Sequence, residues 1–186
     1  MNTQIKNNLA NIDLEIICSD NIALKVLKVD DISDNYISWL NDYEVVKFSE
    51  QRYRTHDFED VQRFVIEKYN SSIDLLFGIY YQKKHIGNIK LGSIDMHNNV
   101  ADISYFIGDR DYWNKGIGTE IVKSLTLYGF QNLNLHKIIA YCNPENKSSE
   151  KVLIKAGYNI EGIRKEQLFF EEKRLDELVY TICNKN

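Results

Sequence analysis

Two glycines one residue apart, Gly116-Ile-Gly118, stand where an apolar strand pattern has ended and a helical one begins. Glycine there lets the backbone approach a ligand closely, and the unpaired N–H groups of a first helical turn carry positive partial charge. Such a turn suits a phosphate or pyrophosphate. Two common nucleotide loops fail on spacing. A dinucleotide fingerprint needs a third glycine where this chain has Ile121, and a Walker A loop needs lysine after its last glycine, whereas Lys115 precedes both. The histidines at 56, 85, 97 and 136 show neither i, i+4 nor cysteine-paired spacing, so no metal is expected. Cys142 has two readings, a covalent nucleophile or a small buried thiol in a core strand, the second being the commoner fate of such a residue.

The elements that position this turn follow from periodicity. Residues 22–29 alternate with period 2 as a half-buried strand does. In 31–41 the period changes: Ile32, Tyr36, Trp39 and Leu40 share one helical face, with Asp30, Asp31 and Ser33 available as caps. A second helix is predicted over 58–69, capped by Thr55 or Asp57, and the polar, aromatic stretch 48–56 between them reads as a loop. Three strands follow, 75–81, 85–91 and 100–107, close enough in sequence to form an antiparallel meander. The glycine turn opens a helix over 119–130, and the short strand 137–142 follows it as in a parallel crossover. A helix over 148–156 ends at Gly157, placed as its left-handed terminator. A bent strand, 158–170, and a last strand, 174–182, flank the turn Glu171-Glu172-Lys173. The fold class is therefore α/β, a mixed, mostly antiparallel sheet with helices on both faces.

With 186 residues, 44% hydrophobic and 12% aromatic, the chain fits one domain over 1–186, with a core over about 22–182 and residues 1–20 as an N-terminal extension. Its 23 Lys and Arg against 27 Asp and Glu give a net charge of −4, and no basic block suits nucleic acid as a partner. The first twenty residues contain no apolar h-region, and no run approaches the ~20 apolar residues that cross a bilayer, so no membrane partner is expected. Three cysteines without metal or disulfide-scaffold spacing fit a reducing compartment. A cytoplasmic location is expected.

The segment Tyr112-Trp-Asn-Lys-Gly-Ile-Gly-Thr-Glu120 resembles the pyrophosphate loop of the GCN5-related N-acetyltransferases, in the branch that includes the ribosomal-protein alanine and serine N-acetyltransferases. The family's usual loop starts with Gln or Arg where this chain has Trp113. Asn146-Lys-Ser-Ser149 and Lys155-Ala-Gly157-Tyr158, followed by Glu161-Gly162, are similar to the family's later acetyl-CoA segment, and Trp39-Leu-Asn-Asp-Tyr-Glu-Val45 is a third likeness. In order, these span roughly residues 22–182.

The resemblance implies a splayed parallel strand pair with acetyl-CoA, the co-substrate, in the gap. It implies that backbone groups at Tyr105, Phe106 and Ile107 pair with the pantetheine arm, and that Asn114, Lys115, Gly116, Ile117, Gly118 and Thr119 hold the pyrophosphate. Asn146 reaches the pantetheine and Ser149 lies near the thioester. Asp102 stands where related enzymes often carry an acidic base, although a solvated or sheet-paired carboxylate is the more ordinary reading of such a residue. The usual acid, a Tyr four residues after the Ser149 position, is replaced by Leu153. Ser149 then remains the candidate that donates a proton or holds a water at sulfur, or else it satisfies the first helical turn. Glu50, Arg52 and His56 fall in the part that lines the acceptor channel in related enzymes. The implied activity is direct transfer of acetyl to a primary amine, of an amino-sugar nucleotide, a protein N-terminus or a polyamine. A small-molecule amine or protein N-terminus is thus the expected partner, with room for a homodimer. A non-catalytic coenzyme A-binding module is the competing class, and the substitution at Leu153 supports it.

Overall fold

The computed structural model describes residues 14–185. Eight strands form one sheet in the order β1-β2-β3-β4-β5-β6-β8-β7. They are β1 (Glu15–Ile17), β2 (Ile22–Val26), β3 (Leu75–Tyr81), β4 (Lys84–Asp95), β5 (Val100–Ile107), β6 (Lys137–Cys142), β7 (Asn159–Phe170) and β8 (Lys173–Cys183). Every neighbouring pair is antiparallel except β5 and β6. The edge strand β1 falls inside the stretch that the sequence sets apart as an extension.

Among the described residues five α-helices surround the sheet: α1 (Asp34–Leu40), α2 (Tyr43–Val46), α3 (Phe58–Tyr69), α4 (Ile117–Asn132) and α5 (Lys147–Lys155). Their starts follow local chemistry. Ser33 and Asp57 accept backbone N–H groups at the heads of α1 and α3, as a cap must. Gly157, at φ 96°, takes the left-handed conformation that ends α5. The short α2 and a 3-10 turn over Glu50–Tyr53 occupy ground that sequence periodicity leaves irregular, because four residues are too few to show a period.

Two apolar layers lie on opposite faces. One joins Leu24, Phe77, Ile89, Ile103 and Ile138 of the sheet to Ile121 and Leu125 of α4 and Leu153 of α5. The other joins Tyr36, Trp39 and Leu40 of α1 and Val61 and Val65 of α3 to Leu76, with Phe106 packed against them. Each fully buried Leu or Ile in these layers contributes about 1.5–3 kcal/mol. Gly108, directly after β5, is filled by the Trp39 indole, which leaves no room for a Cβ there. That contact locks α1 onto the end of β5. No described helix is long and apolar enough to cross a membrane.

Candidate functional site

The parallel pairing of β5 and β6 is short. Its register runs Val100 with Lys137, Ala101 with Ile138 and Asp102 with Ile139, and ends there. On its other edge β5 stays paired with β4 as far as Ile107 opposite Gly87. The strands therefore part beyond Asp102, and the β6-facing edge of 103–107 has no strand partner, which is the template an extended ligand can extend. The backbone within this stretch divides. The Phe106 carbonyl is turned against Gly87 of β4, so by strand alternation Tyr105 and Ile107 are the residues whose backbone groups face the gap. Of the three residues expected to pair with the pantetheine arm, Phe106 thus has its carbonyl on the β4 side. The Ile107 carbonyl in turn accepts the Trp113 indole N–H at 2.7 Å, which anchors the following loop to the strand end.

That loop leads into α4 through two left-handed residues, Asn114 at φ 60° and Gly116 at φ 82°. Asn tolerates this conformation and Gly adopts it freely. Gly116 is the N-cap of α4 and offers no side-chain hydrogen bond to the first turn. The amides of Thr119 and Glu120 bond back to the Gly116 carbonyl at 3.1 and 3.3 Å. Those of Ile117 and Gly118 begin a helix of 16 residues without a cap. A Cβ at Gly116 would meet nothing within 4 Å, so the space in front of this turn is open. Asn114, Lys115 and Gly116 are exposed, while Ile117 and Gly118 are buried. An open glycine cradle under uncapped amides fits the diphosphate of coenzyme A.

Asn146 and Ser149 come from the other side of the gap, after β6. Asn146 is the N-cap of α5, its side-chain oxygen accepting the Ser149 amide at 3.1 Å. Its oxygen thus has a structural task, and it fixes the first turn that carries Ser149. The Ser149 hydroxyl lies 2.9 Å from the Tyr105 hydroxyl of β5. The Tyr105 ring lies near the start of α4: a Cβ on Gly118 would sit 4.0 Å from Tyr105 Cε2, an ordinary contact, and a closer 3.2 Å from Val152 Cγ2. Burial pushes the Tyr105 phenol well above its usual range, so it stays protonated at physiological pH. Beside Ser149, Cys142 is 3% exposed, and burial pushes its thiol up as well. A thiol so raised remains protonated and a poor nucleophile, which favours the buried-thiol reading. Leu153 is fully buried and packs into the core.

Alternation along β5 puts Asp102, Ser104 and Phe106 on the α1 face, and Ile103, Tyr105 and Ile107 on the α4 face. Asp102 and Ser149 thus approach the gap from opposite faces of the sheet. Over Gly92, the place of a missing Cβ lies 2.8 Å from both an Asp102 carboxylate oxygen and the Lys90 ammonium nitrogen. The same ammonium is 3.5 Å from Asp74.

The three residues expected at the acceptor channel have different fates. Arg52 is spent on the fold: its guanidinium donates to the Ser49 carbonyl at 2.8 Å, the Tyr53 hydroxyl at 2.7 Å and the Phe169 carbonyl at 2.9 Å. His56 is clipped to Asn41 through its backbone, with bonds of 2.9 and 2.8 Å, while its ring Nε2 is buried without a partner. Glu50 is exposed at the start of the 3-10 turn. Phe48 and Phe170 stack at 5.5 Å, so this loop and the β7–β8 hairpin meet as one wall. Among the described residues no group of three or more His, Cys, Asp or Glu could hold a metal ion. Sequence reasoning missed the side chain of Tyr105. Period-2 alternation places it opposite Asp102, but only the packing of α5 brings it to Ser149.

Known proteins resemble this chain in sequence and in fold. The chain is 33% identical over 100 residues to the uncharacterised N-acetyltransferase p20 of Bacillus licheniformis, a match covering 54% of this chain and 56% of that relative. The matched stretch thus spans little more than half of the relative's length. Among solved structures, the ribosomal L7/L12 α-N-protein acetyltransferase RimL in complex with coenzyme A superimposes with a TM-score of 0.83 at 15% identity, covering 91% of this chain and 98% of that one. The spermidine N-acetyltransferase of Vibrio cholerae, in complex with coenzyme A and spermine, gives 0.79 at 20% identity, covering 89% and 96%. A family model described as an acetyltransferase (GNAT) domain matches residues 21–159, the greater part of the chain, and the chain belongs to that family.

Proposed function

We propose that this chain is an acetyl-CoA-dependent N-acetyltransferase that passes acetyl directly to a primary amine. The observation that carries the reading is the juxtaposition of a strand gap opening after Asp102 with the uncapped glycine turn of α4. Acetyl-CoA supplies the activated acyl group as a thioester. The residues 114–119 hold its diphosphate through backbone amides, and the gap-facing backbone of Tyr105 and Ile107 receives the pantetheine arm as an added strand. On the α1 face Asp102 takes the proton of the incoming ammonium, directly or through water. An amine with a free pKa near ~10 needs such a base at neutral pH. On the α4 face the Ser149 hydroxyl meets the departing sulfur.

The acceptor enters along the wall built by the Glu50–Tyr53 turn and the β7–β8 hairpin. Tyr43, Tyr53 and Phe169 are each about half exposed there. Exposed aromatic faces suit a sugar or base ring, so an amino-sugar nucleotide heads the acceptor panel. The two solved neighbours named above are an acetyltransferase of a ribosomal protein and one of spermidine, which makes an N-terminal peptide and spermidine the other members.

The test is release of free thiol from acetyl-CoA with a uridine diphosphate amino sugar, an Ala- or Ser-initiated peptide and spermidine. One class should raise the rate well above hydrolysis, and Asp102→Asn should then lower kcat by about 10²-fold while acetyl-CoA still binds. Binding without turnover in any class would instead identify a coenzyme A module, the reading that the apolar Leu153 favours.

A further inference from the structure

We propose that Tyr105 is a positioning residue that orients the Ser149 hydroxyl as hydrogen-bond donor to the departing thiolate, an inference that rests on the acetyltransferase reading. The two hydroxyl oxygens are 2.9 Å apart, and either could donate to the other. Donor strength decides the direction. A phenol is a stronger hydrogen-bond donor than an alkyl hydroxyl, so the single Tyr105 hydrogen goes to the Ser149 oxygen at 2.9 Å, and the Ser149 carbonyl at 3.5 Å competes for it only weakly. With Tyr105 donating, the serine oxygen accepts and its own hydrogen is left for another acceptor. In the free protein the Cys142 thiol is the sulfur beside it, and with acetyl-CoA in the gap the departing sulfur is the acceptor.

The ring packs over the start of α4, where a Cβ on Gly118 would lie 4.0 Å from Tyr105 Cε2. Asn146 fixes the other partner by capping the turn that carries Ser149. Two hydroxyls in series polarise one another, and the outer one becomes the stronger donor. The step itself balances simply. The neutral amine forms the new C–N bond, the C–S bond breaks, and sulfur leaves with the electron pair. The Ser149 hydrogen bond stabilises that charge until solvent supplies the proton, while the amine's proton departs on the Asp102 face.

A double-mutant cycle separates this role from simple packing. Tyr105→Phe keeps the ring and removes the hydroxyl. It should lower kcat about tenfold, leaving KM and calorimetric affinity for acetyl-CoA unchanged. Ser149→Ala should lower kcat by about 10²-fold. In the Ser149→Ala background, Tyr105→Phe should add less than about twofold, because the hydroxyl it removes no longer has a serine to orient. The acceptor used is whichever of the uridine diphosphate amino sugar, peptide or spermidine turns over fastest. An unchanged kcat in Tyr105→Phe, or an equal loss with and without Ser149, overturns the proposal while the acetyltransferase reading stands. A wild-type chain inactive on all three acceptors overturns both.

Discussion

Replacing Gly116 by aspartate tests the phosphate cradle, and replacing it by asparagine supplies the matched control. The residue sits at φ 82° with open space where a Cβ would project. Any L-residue there takes on left-handed strain of roughly 1–2 kcal/mol, but Asn visits this region more readily than most, and Asn and Asp have nearly the same shape. Both variants should therefore fold, with similar small losses of stability. They differ by one charge at the mouth of the turn. A carboxylate brought to about 4 Å from one phosphate charge, at an effective dielectric of ~20, is repelled by about 4 kcal/mol, which is roughly a 10³-fold loss of affinity. Calorimetric titration of coenzyme A should show Gly116→Asn within about tenfold of wild type and Gly116→Asp weaker by a further two to three orders of magnitude. Raising the salt to about 1 M, where screening reaches only ~3 Å, should narrow the difference. Equal affinities of the Asn and Asp variants would refute the placement of the diphosphate at this turn, since shape and strain are shared and only the charge distinguishes them.

Asn146→Ala should cost about 1 kcal/mol of stability by removing the cap of α5, whereas Asn146→Asp, which retains an acceptor oxygen for the Ser149 amide, should melt close to wild type; thermal denaturation compares them. The second prediction concerns pH. Burial, opposed by Asn88, the Gly87 carbonyl and Asp31, holds the His85 imidazole below its usual value. The folded protein therefore resists a proton that the unfolded chain accepts near pH ~6.5, so stability is full above that pH and falls as the pH drops through it. Urea midpoints taken between pH 7.5 and 5.5 should decline, and His85→Leu should reduce the decline. An identical slope in the variant would exclude His85 as its source.

Much of the fold was legible because its signals are local. The α3 boundaries, 58–69, follow from apolar spacing and Asp57, and the meander from three alternating runs with polar turns between them. The turn at Gly116 and the terminator at Gly157 could be placed because left-handed backbone has few tenants. What stayed hidden was short or non-local. The strand Glu15–Ile17 is only three residues long and exists through its pairing with Ile22–Val26. Arg52 reads as a free cation near an acceptor, and only the folded β7–β8 hairpin shows that its guanidinium is occupied by the Phe169 carbonyl.

By itself the sequence determined the glycine turn, the order of the longer strands and helices, and the family likeness of the loop from Tyr112 to Glu120, because each rests on residues adjacent in the chain. Tertiary structure alone decided where the parallel ladder stops, that the Phe106 carbonyl belongs to β4, and that the Tyr105 hydroxyl meets Ser149 forty-four positions later. Such contacts depend on how a crossover helix lays one strand beside another, and side-chain reach across that junction is a property of packing that residue spacing does not encode.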